Sequence, residues 1–336
     1  MKTILAGLLA IGAFCSLSGR AAAQAGNNCL SQFGNIYVNN APGAFNCIPE
    51  GPFLVVCQVV TSFCPPAAAA VETCPTCAAA AAGHPISLAS GNTFIKETDV
   101  RIPGLSGGLT LVRTWNSLWP STQTAFQVGM FGPNWRSTYE ERVFVGSDNY
   151  IKYSRSDGSF WSFGYSQGST LAVAAPANVN ATLVFGPTYW TLVFQNGEQR
   201  LFDETTGHLL EIIDRNGNVT QLTYDSVGRL STVTDPVSRH LYFSYGSGGS
   251  SLLVTGLTSD VGLSVSYSYD SQGRLLLVTE NDLSTLSFQY NSQSLITAVT
   301  DSNGKTLESH TYDSAGRGLT SSQANGVSAL SISYAN

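Results

Sequence analysis

The sequence predicts an all-β protein: antiparallel β-hairpin repeats forming a curved or spiral sheet, preceded by a small disulfide-linked N-terminal module. Three observations predict it. Tyrosines recur at 224, 245, 269, 290, 312 and 334, with gaps of 21, 24, 21, 22 and 22 residues, and a fixed period of this size marks a repeat architecture. Before each tyrosine, apolar and small polar residues alternate, as in Leu241-Phe243-Tyr245, Val265-Tyr267-Tyr269 and Leu286-Phe288-Tyr290, the period of a strand with one buried face. The six cysteines that follow Cys15 all precede residue 78, a clustering that belongs to a cross-linked module.

The N-terminus comes first. Lys2 supplies a positive start, Ile4 to Leu17 a largely apolar run, and Ala21-Ala22-Ala23 the small residues of a cleavage site. Residues 1–23 therefore read as a signal peptide, cut after Ala23 or Ala25. The run is too short to span a bilayer, and no second stretch approaches that length, so the chain is expected to be secreted or at the cell surface without a transmembrane segment. A lipoprotein reading would use Cys15, but bulky Phe14 precedes it. Only 11% of residues are charged and the formal net charge is −6. With no basic patch, a nucleic-acid partner is not expected.

Residues 24–82 form a Cys-rich module with an Ala-rich linker. Cys29, Cys47, Cys57, Cys64, Cys74 and Cys77 are an even set in an exported chain, which reads as structural disulfides. Fifteen connectivities are open to six cysteines, and nothing in the sequence selects among them. Cys74-Pro-Thr-Cys77 also has the spacing of a zinc or redox half-site, with His84 as the nearby imidazole. Residues 83–201 are strand-rich, with frequent Gly and Pro. Residues 202–336 hold the repeats.

Each repeat has a physical reading as a hairpin. Asp225, Asp270 and Asp313 follow the tyrosine and can bond the backbone two residues on, which opens a turn. Four residues after the tyrosine stand Gly228, Gly249, Gly273, Ser294 and Gly316, at a place suited to positive φ. Nine residues after it stand Val233, Val254, Val278, Val299 and Ser321, mostly followed by Thr. Arg229-Leu230, Arg274-Leu275 and the Val-Thr pair are expected to start the return strand. A lone hairpin is marginal in water, so the units should stack, with equivalent tyrosines forming a ladder at ~4.8 Å.

Gly104-Leu105-Ser106-Gly107-Gly108 has the letters of a nucleophile elbow, but that device needs a strand before it and a helix after it; Pro103 and the strand-like Leu109-Thr110-Leu111-Val112 favour a Gly-rich turn. Asp214 to Asp225 resembles a calcium loop but lacks its sixth-position Gly and twelfth-position Glu, so an Asx turn is expected. His84, His208, His240 and His310 show no ligand spacing, and His310 stands where Phe243 and Phe288 stand in other repeats. Glu140-Glu141 and Asp203-Glu204 are adjacent pairs with no converging partner. Gly246 to Ser250 reads as a hairpin tip. No catalytic, cofactor-binding or metal residue is nominated, and no cofactor is expected. Trp115, Trp119, Trp135, Trp161 and Trp190 are expected mostly in the core.

Tyr224-Asp225-Ser-Val-Gly228-Arg229-Leu230 and Tyr269-Asp270-Ser-Gln-Gly273-Arg274-Leu275 resemble YD repeats of the Rhs family, as do Asp214-Arg215-Asn216-Gly217-Asn218 and Thr234-Asp235-Pro236. Upstream, His84-Pro85-Ile86-Ser87-Leu88-Ala89-Ser90-Gly91-Asn92, Glu97-Thr98-Asp99, Leu111-Val112-Arg113-Thr114-Trp115-Asn116-Ser117, Phe131-Gly132-Pro133-Asn134-Trp135 and Asp157-Gly158-Ser159 resemble the domain that precedes those repeats. The resemblance covers roughly residues 83–336 and makes 83–201 an Rhs-type N-terminal β domain. It implies a spiral sheet; long members enclose a toxic domain, and related repeats serve adhesion.

The expected function is that of an exported, non-catalytic scaffold or surface-binding protein, with carbohydrate or a cell-surface protein as partner. One alternative is the N-terminal shell portion of a polymorphic Rhs toxin or its carrier. Another is a polysaccharide-active enzyme. The sequence ends at Tyr334-Ala335-Asn336, where a further unit would begin, so an exposed sheet edge and self-association through residues 312–336 are expected.

Overall fold

A computed structural model describes residues 86–334, apart from 147–149, 166–169, 176–180, 247–250 and 324–325, together with four strand segments nearer the N-terminus. The signal segment, His84 and most of the Cys-rich module lie outside the described residues. The chain forms two compact units: one of Met1–Ala70, Arg142–Tyr153 and Trp161–Gly207, the other of Val71–Glu141, Ser154–Phe160 and His208–Asn336. As expected, the architecture is antiparallel β throughout. The helical segments among the described residues are short 3-10 turns, among them Leu105–Gly107 and Ser121–Phe126.

Strands β1 (Ile36–Tyr37), β2 (Phe45–Pro49) and β3 (Val55–Val59) form a small antiparallel sheet in the first unit, where the register sets Cys47 opposite Cys57. In the second unit β4 (Ala81–Ala82) pairs with β5 (Ile86–Ser87). Next come β6 (Phe94–Ile102), β7 (Leu109–Asn116), the small ribbon β8 (Val128–Gly129) with β9 (Gly132–Pro133), and β10 (Trp135–Ser137). β10, β7 and β6 make a three-stranded sheet in that order.

The first unit continues with β11 (Arg142–Val145), β12 (Ile151–Ser154), β13 (Phe160–Tyr165), β14 (Leu171–Ala175), β15 (Ala181–Phe185), β16 (Tyr189–Phe194) and β17 (Gln199–Asp203). Each pairs with its neighbour in sequence. Its core is aromatic. Tyr153 meets Trp161, Phe194 and Phe202 edge-on at 5.7, 6.4 and 5.8 Å between ring centroids, a favoured arrangement of the ring quadrupoles.

The repeats build the rest of the second unit: β18 (Leu209–Ile213), β19 (Val219–Tyr224), β20 (Leu230–Thr234), β21 (His240–Tyr245), β22 (Val254–Ser259), β23 (Ser264–Tyr269), β24 (Leu275–Thr279), β25 (Thr285–Tyr290), β26 (Ile296–Asp301), β27 (Thr306–Tyr312), β28 (Gly318–Gln323) and β29 (Val327–Ser331). They too pair in sequence order. The predicted turns form. Asp270 Oδ1 accepts from the backbone N–H groups of Gln272 and Arg274, and its Oδ2 accepts from Arg274 Nε at 2.6 Å. Asp225 and Asp313 repeat this clamp on Arg229 and Arg317. Slight burial opposes ionisation of these carboxyls, but the backbone N–H groups and the arginine outweigh it and hold them below the ordinary range. Gly228, Gly273 and Gly316 sit at φ of 81, 75 and 81°.

Three expectations need correction. Equivalent tyrosines lie on alternate strands, so they are two strand spacings apart, roughly 9.6 Å, and do not form a ring-on-ring ladder. Each hydroxyl instead donates to the carbonyl of the residue that opens a return strand one repeat earlier: Tyr245 to Leu230 and Tyr269 to Val254 at 2.7 Å, Tyr290 to Leu275 at 2.8 Å. In three of the gaps an arginine stands between the rings, with Arg229 over Tyr245 at 4.5 Å, Arg274 over Tyr290 at 4.8 Å and Arg317 over Tyr334 at 4.3 Å. Second, the Val-Thr pair closes the return strand and does not start it, as β20 and β24 show. Third, Val254 pairs with Tyr245 as Leu230 pairs with Tyr224, so Val254 matches Leu230, and Leu257 matches Val233. The 24-residue gap is absorbed in the longer hairpin tip, which shifts the column by three.

Tyr269→Phe should therefore cost about 1 kcal/mol, the net worth of one hydrogen bond that leaves a carbonyl unpaired. Chemical denaturation of the full chain would show it as a lower midpoint at unchanged slope.

Candidate functional site

The inner face of the repeats is the place to look, because there the sheet meets β6, β7 and β10 of the same unit. Successive repeats present one column of side chains on this face: Leu222, Phe243, Tyr267, Phe288 and His310, all buried. Register sets them opposite Val233, Leu257, Val278, Val299 and Ser321. The column is apolar at its start and polar at its end.

Arg113 on β7 stands at the centre and is fully buried. Its Nε and Nη2 donate to the two carboxylate oxygens of Asp99 at 2.5 and 2.7 Å, a bidentate pairing that suits guanidinium geometry. Tyr267 donates to the same Asp99 at 2.7 Å. The guanidinium carbon lies 4.7 Å from the Trp135 ring centroid, 5.5 Å from Phe131, 5.6 Å from Tyr267 and 5.9 Å from Phe288. Burial alone would push the guanidinium down. The Asp99 charge and hydrogen bonds outweigh it and hold Arg113 above its ordinary value. Burial, then the Asp99 charge, pushes the Tyr267 phenol well up.

A β-bulge makes this possible. Thr98 pairs with Val112 and Val100 with Leu111, so Asp99 has no partner in the ladder. The bulge re-aims its carboxylate onto the Arg113 side. Glu97 lies directly opposite Arg113 in the same ladder. Burial raises the Glu97 carboxyl to about 7; Arg113 opposes this, while Glu308, Asp99 and Glu280 add to it. On β27, His310 Nε2 is 3.2 Å from Glu308.

A second contact ties the upstream strands to the last repeats. The column Leu230, Val254, Leu275, Ile296 ends in Gly318, because Ile86 and Thr93 take the space: a Cβ on Gly318 would lie 2.8 Å from Ile86 Cδ1 and on top of the Thr93 hydroxyl. Gly318 N–H donates to Gly91 C=O at 2.8 Å.

The arrangement is a clasp. Asp99 spends both oxygens on Arg113 and Tyr267, and Asp99, Arg113, Tyr267 and His310 are all buried. The residues singled out in the sequence lie elsewhere or have other tasks. Ser106 sits in a turn at φ 55° with no helix of its own to follow. Asp214 caps an Asx turn through Asn216 and Asn218. His208 stacks on Tyr224 at 4.6 Å, and His240 pairs with Asp260 at 2.6 Å. Trp115 and Trp135 are fully buried, and Trp119, Trp161 and Trp190 are half-buried. Glu140 and Glu141 lie between the turn at 138–139 and β11, outside any strand, and Glu140 accepts from Met130 N–H at 2.6 Å. Asp203 caps the following turn through Thr205 and Thr206. Sequence reasoning did not bring Glu97, Asp99, Arg113, Glu280 and Glu308 together. Three of them stand in segments that carry the family resemblance, but no spacing rule links β6 to β27. Among the described residues, no group of three or more His, Cys, Asp or Glu is arranged to hold a metal ion, and no helix is long and apolar enough to cross a membrane.

Three family models match the chain. One described as a domain of unknown function (DUF6531) covers residues 83–163, RHS Repeat covers 203–239, and Teneurin YD-shell covers 238–328. Over 143 residues the chain is 30% identical to the tRNA nuclease WapA of Bacillus subtilis (strain 168). It is 29% identical over the same length to the tRNA3(Ser)-specific nuclease WapA of Bacillus spizizenii. Each match covers 43% of this chain and 6% of the relative. Solved structures that match include the TcdB2-TccC3 complex, at 13% identity and TM-score 0.29 over 69% of this chain and 15% of that one. The TcdB2-TccC3-Cdc42 structure matches at 13% identity and TM-score 0.29 over 54% and 11%.

Proposed function

Because the chain belongs to the Rhs/YD-repeat family, we propose that it is an exported, non-catalytic wall built from YD hairpins, which acts as a scaffold and binds a protein or glycan at a cell surface. The observation that carries this reading is the Arg113 clasp. Around Arg113 the inner face of the repeats is occupied by the chain's own β6, β7 and β10. Export rests on residues 1–23, and the Cys-rich module of 24–82 would be cross-linked in the oxidising compartment beyond, ahead of the β domain of 83–201 and the repeats of 202–336.

The binding surface is sought outside the clasp. The turns joining β20 to β21, β22 to β23 and β24 to β25 fall on one rim, and their tips are Val237, Val261 and Leu283, all exposed. Leu283 is 79% exposed and holds φ at 67°, a conformation uncommon for a bulky side chain. Apolar tips in a row suit a protein partner.

A second reading is favoured by the match to the WapA nucleases: the chain is the shell portion of a toxin carrier. The mass of the product isolated from its source separates the two, since a carrier would appear as a much longer chain. The non-catalytic reading is tested with the purified protein on a polysaccharide panel. No new reducing ends are expected. Release of sugar that disappears in Glu97→Gln would establish the enzyme reading instead.

A further inference from the structure

Among the six cysteines between residues 24 and 78, β2 and β3 set two opposite one another. In this antiparallel pair Cys47 is the partner of Cys57, between the pairs Phe45 with Val59 and Pro49 with Val55. The sequence agrees with the ladder, because Glu50-Gly51-Pro52 between the strands carries the Gly-Pro dipeptide of a turn.

The kind of pair decides how near the two cysteines come. Opposed residues of an antiparallel ladder alternate between pairs that exchange two N–H···O bonds, with Cα atoms ~5.5 Å apart, and pairs that exchange none, with Cα atoms ~4.5 Å apart. Proline has no N–H to give, so Pro49 and Val55 form a pair of the second kind. A step of two residues along each strand returns to the same kind, so Cys47 and Cys57 also form one, and their Cα atoms are at the closer spacing. A disulfide spans Cα separations of ~4.4–6.8 Å, and a pair of this kind falls within that range. By alternation, the face of the sheet that holds Cys47 and Cys57 also holds Ile36, Phe45, Val55 and Val59, whereas the other face holds Asn46 and Gln58. The cysteines thus stand in the middle of the apolar face. The three strands have 2, 5 and 5 residues, and a sheet this small in an exported chain is of the kind that relies on covalent staples.

We propose that Cys47 and Cys57 form a disulfide across β2 and β3. This rests on the reading of the chain as exported, since such a bond persists in an oxidising compartment. The oxidant is a disulfide of that compartment. One cysteine thiolate attacks it, which releases one thiol and leaves a mixed disulfide on the chain. The other thiolate attacks the chain's sulfur in that mixed disulfide and releases the second thiol. The chain loses two protons and two electrons, and the oxidant takes them up as two thiols. Because the ladder holds the second cysteine beside the first, ring closure outruns capture by a distant cysteine. Cys29, Cys64, Cys74 and Cys77 are left, so the fifteen connectivities fall to three.

The test uses the full chain, reduced and then oxidised in a glutathione buffer, beside the same protein isolated from its source. Chymotrypsin without reductant separates the two cysteines, because Phe45, Phe53 and Phe63 flank them: Cys47 falls in residues 46–53 and Cys57 in residues 54–63. Mass spectrometry should find these two peptides joined, and reduction should split them with the gain of two hydrogens. Cys47→Ser should expose one thiol per molecule, labelled by maleimide in denaturant and mapped to Cys57; Cys57→Ser should expose it at Cys47. If a variant fails to fold, the wild-type peptide map decides. A Cys47 peptide joined to any other cysteine, or both thiols free after oxidation, would overturn the proposal. The two samples keep the pairing apart from export. Peptides joined in both support both. Peptides joined after glutathione but free in the protein from its source would leave the pairing standing and overturn the export reading.

Discussion

Arg113→Met should lower the stability of the second unit by about 3–5 kcal/mol, the cost of leaving a buried charge without its partner. Asp99 is the group left behind. It would keep only the Tyr267 hydroxyl at 2.7 Å, inside a site walled by Phe131, Trp135 and Phe288. For a unit of this size the loss corresponds to a fall in melting temperature of roughly 10 °C. Replacing both partners, Arg113→Met with Asp99→Leu, should recover much of it, because paired apolar substitutes of similar volume carry no desolvation penalty. Thermal unfolding of the two variants decides. If Arg113→Met melts within about 1 °C of wild type, the clasp has no role in stability. If the double variant is no better than the single, the bulge geometry at Asp99 and not its charge is what matters.

Gly318→Leu should destabilise the chain although it restores the residue type that Leu230 and Leu275 provide in other repeats. Ile86 and Thr93 already fill that place. Overpacking of this kind costs about 1–3 kcal/mol, and more where backbone is close. The same change would also press the segment that delivers Gly91 C=O to Gly318 N–H. Adding Ile86→Ala should return part of the loss, since the two sites share one space and are not additive. Denaturant midpoints of the single and double variants measure this coupling. A Gly318→Leu protein as stable as wild type would mean that the 86–93 segment does not sit on β28.

The two results bear on the same point. The upstream strands complete the inner face of the repeats in place of the groups that a further column position would supply. Arg113 does so in the centre, between Tyr267 and Phe288. Ile86 and Thr93 do so at Gly318. A wall closed in this way is suited to holding its shape, in keeping with the scaffold reading proposed above.

Much of this was legible in the sequence. The period of the tyrosines, the alternation before them and the Asp-Gly-Arg turns are local signals. Each depends on residues within about one hairpin, and local chemistry decides them: an Asp side chain bonds backbone two and four residues on, a Gly takes positive φ, and a two-residue alternation buries one face. The all-β class, the hairpin units and the inward place of His310 follow from these alone. The tyrosine spacing was misjudged because alternation says which face a residue occupies and not what lies between equivalent strands; Arg229, Arg274 and Arg317 fill that gap at three of the tyrosines. The shift at Val254 was missed because counting nine residues from each tyrosine took no account of the three extra residues that the 24-residue gap places between β21 and β22.

What the tertiary structure decided is which distant groups share the inner face. Glu97 and Glu308 lie more than two hundred residues apart, and nothing in either neighbourhood announces the other. Asp99 turns toward Arg113 only because a bulge removes it from the ladder, and Gly318 is explained only by the Ile86 and Thr93 side chains that lie against it. Sequence determines the repeating unit, because its forces act between near neighbours along the chain. The fold alone decides where an ionisable group is buried and what charge it meets, because desolvation and Coulomb interaction depend on distance in space.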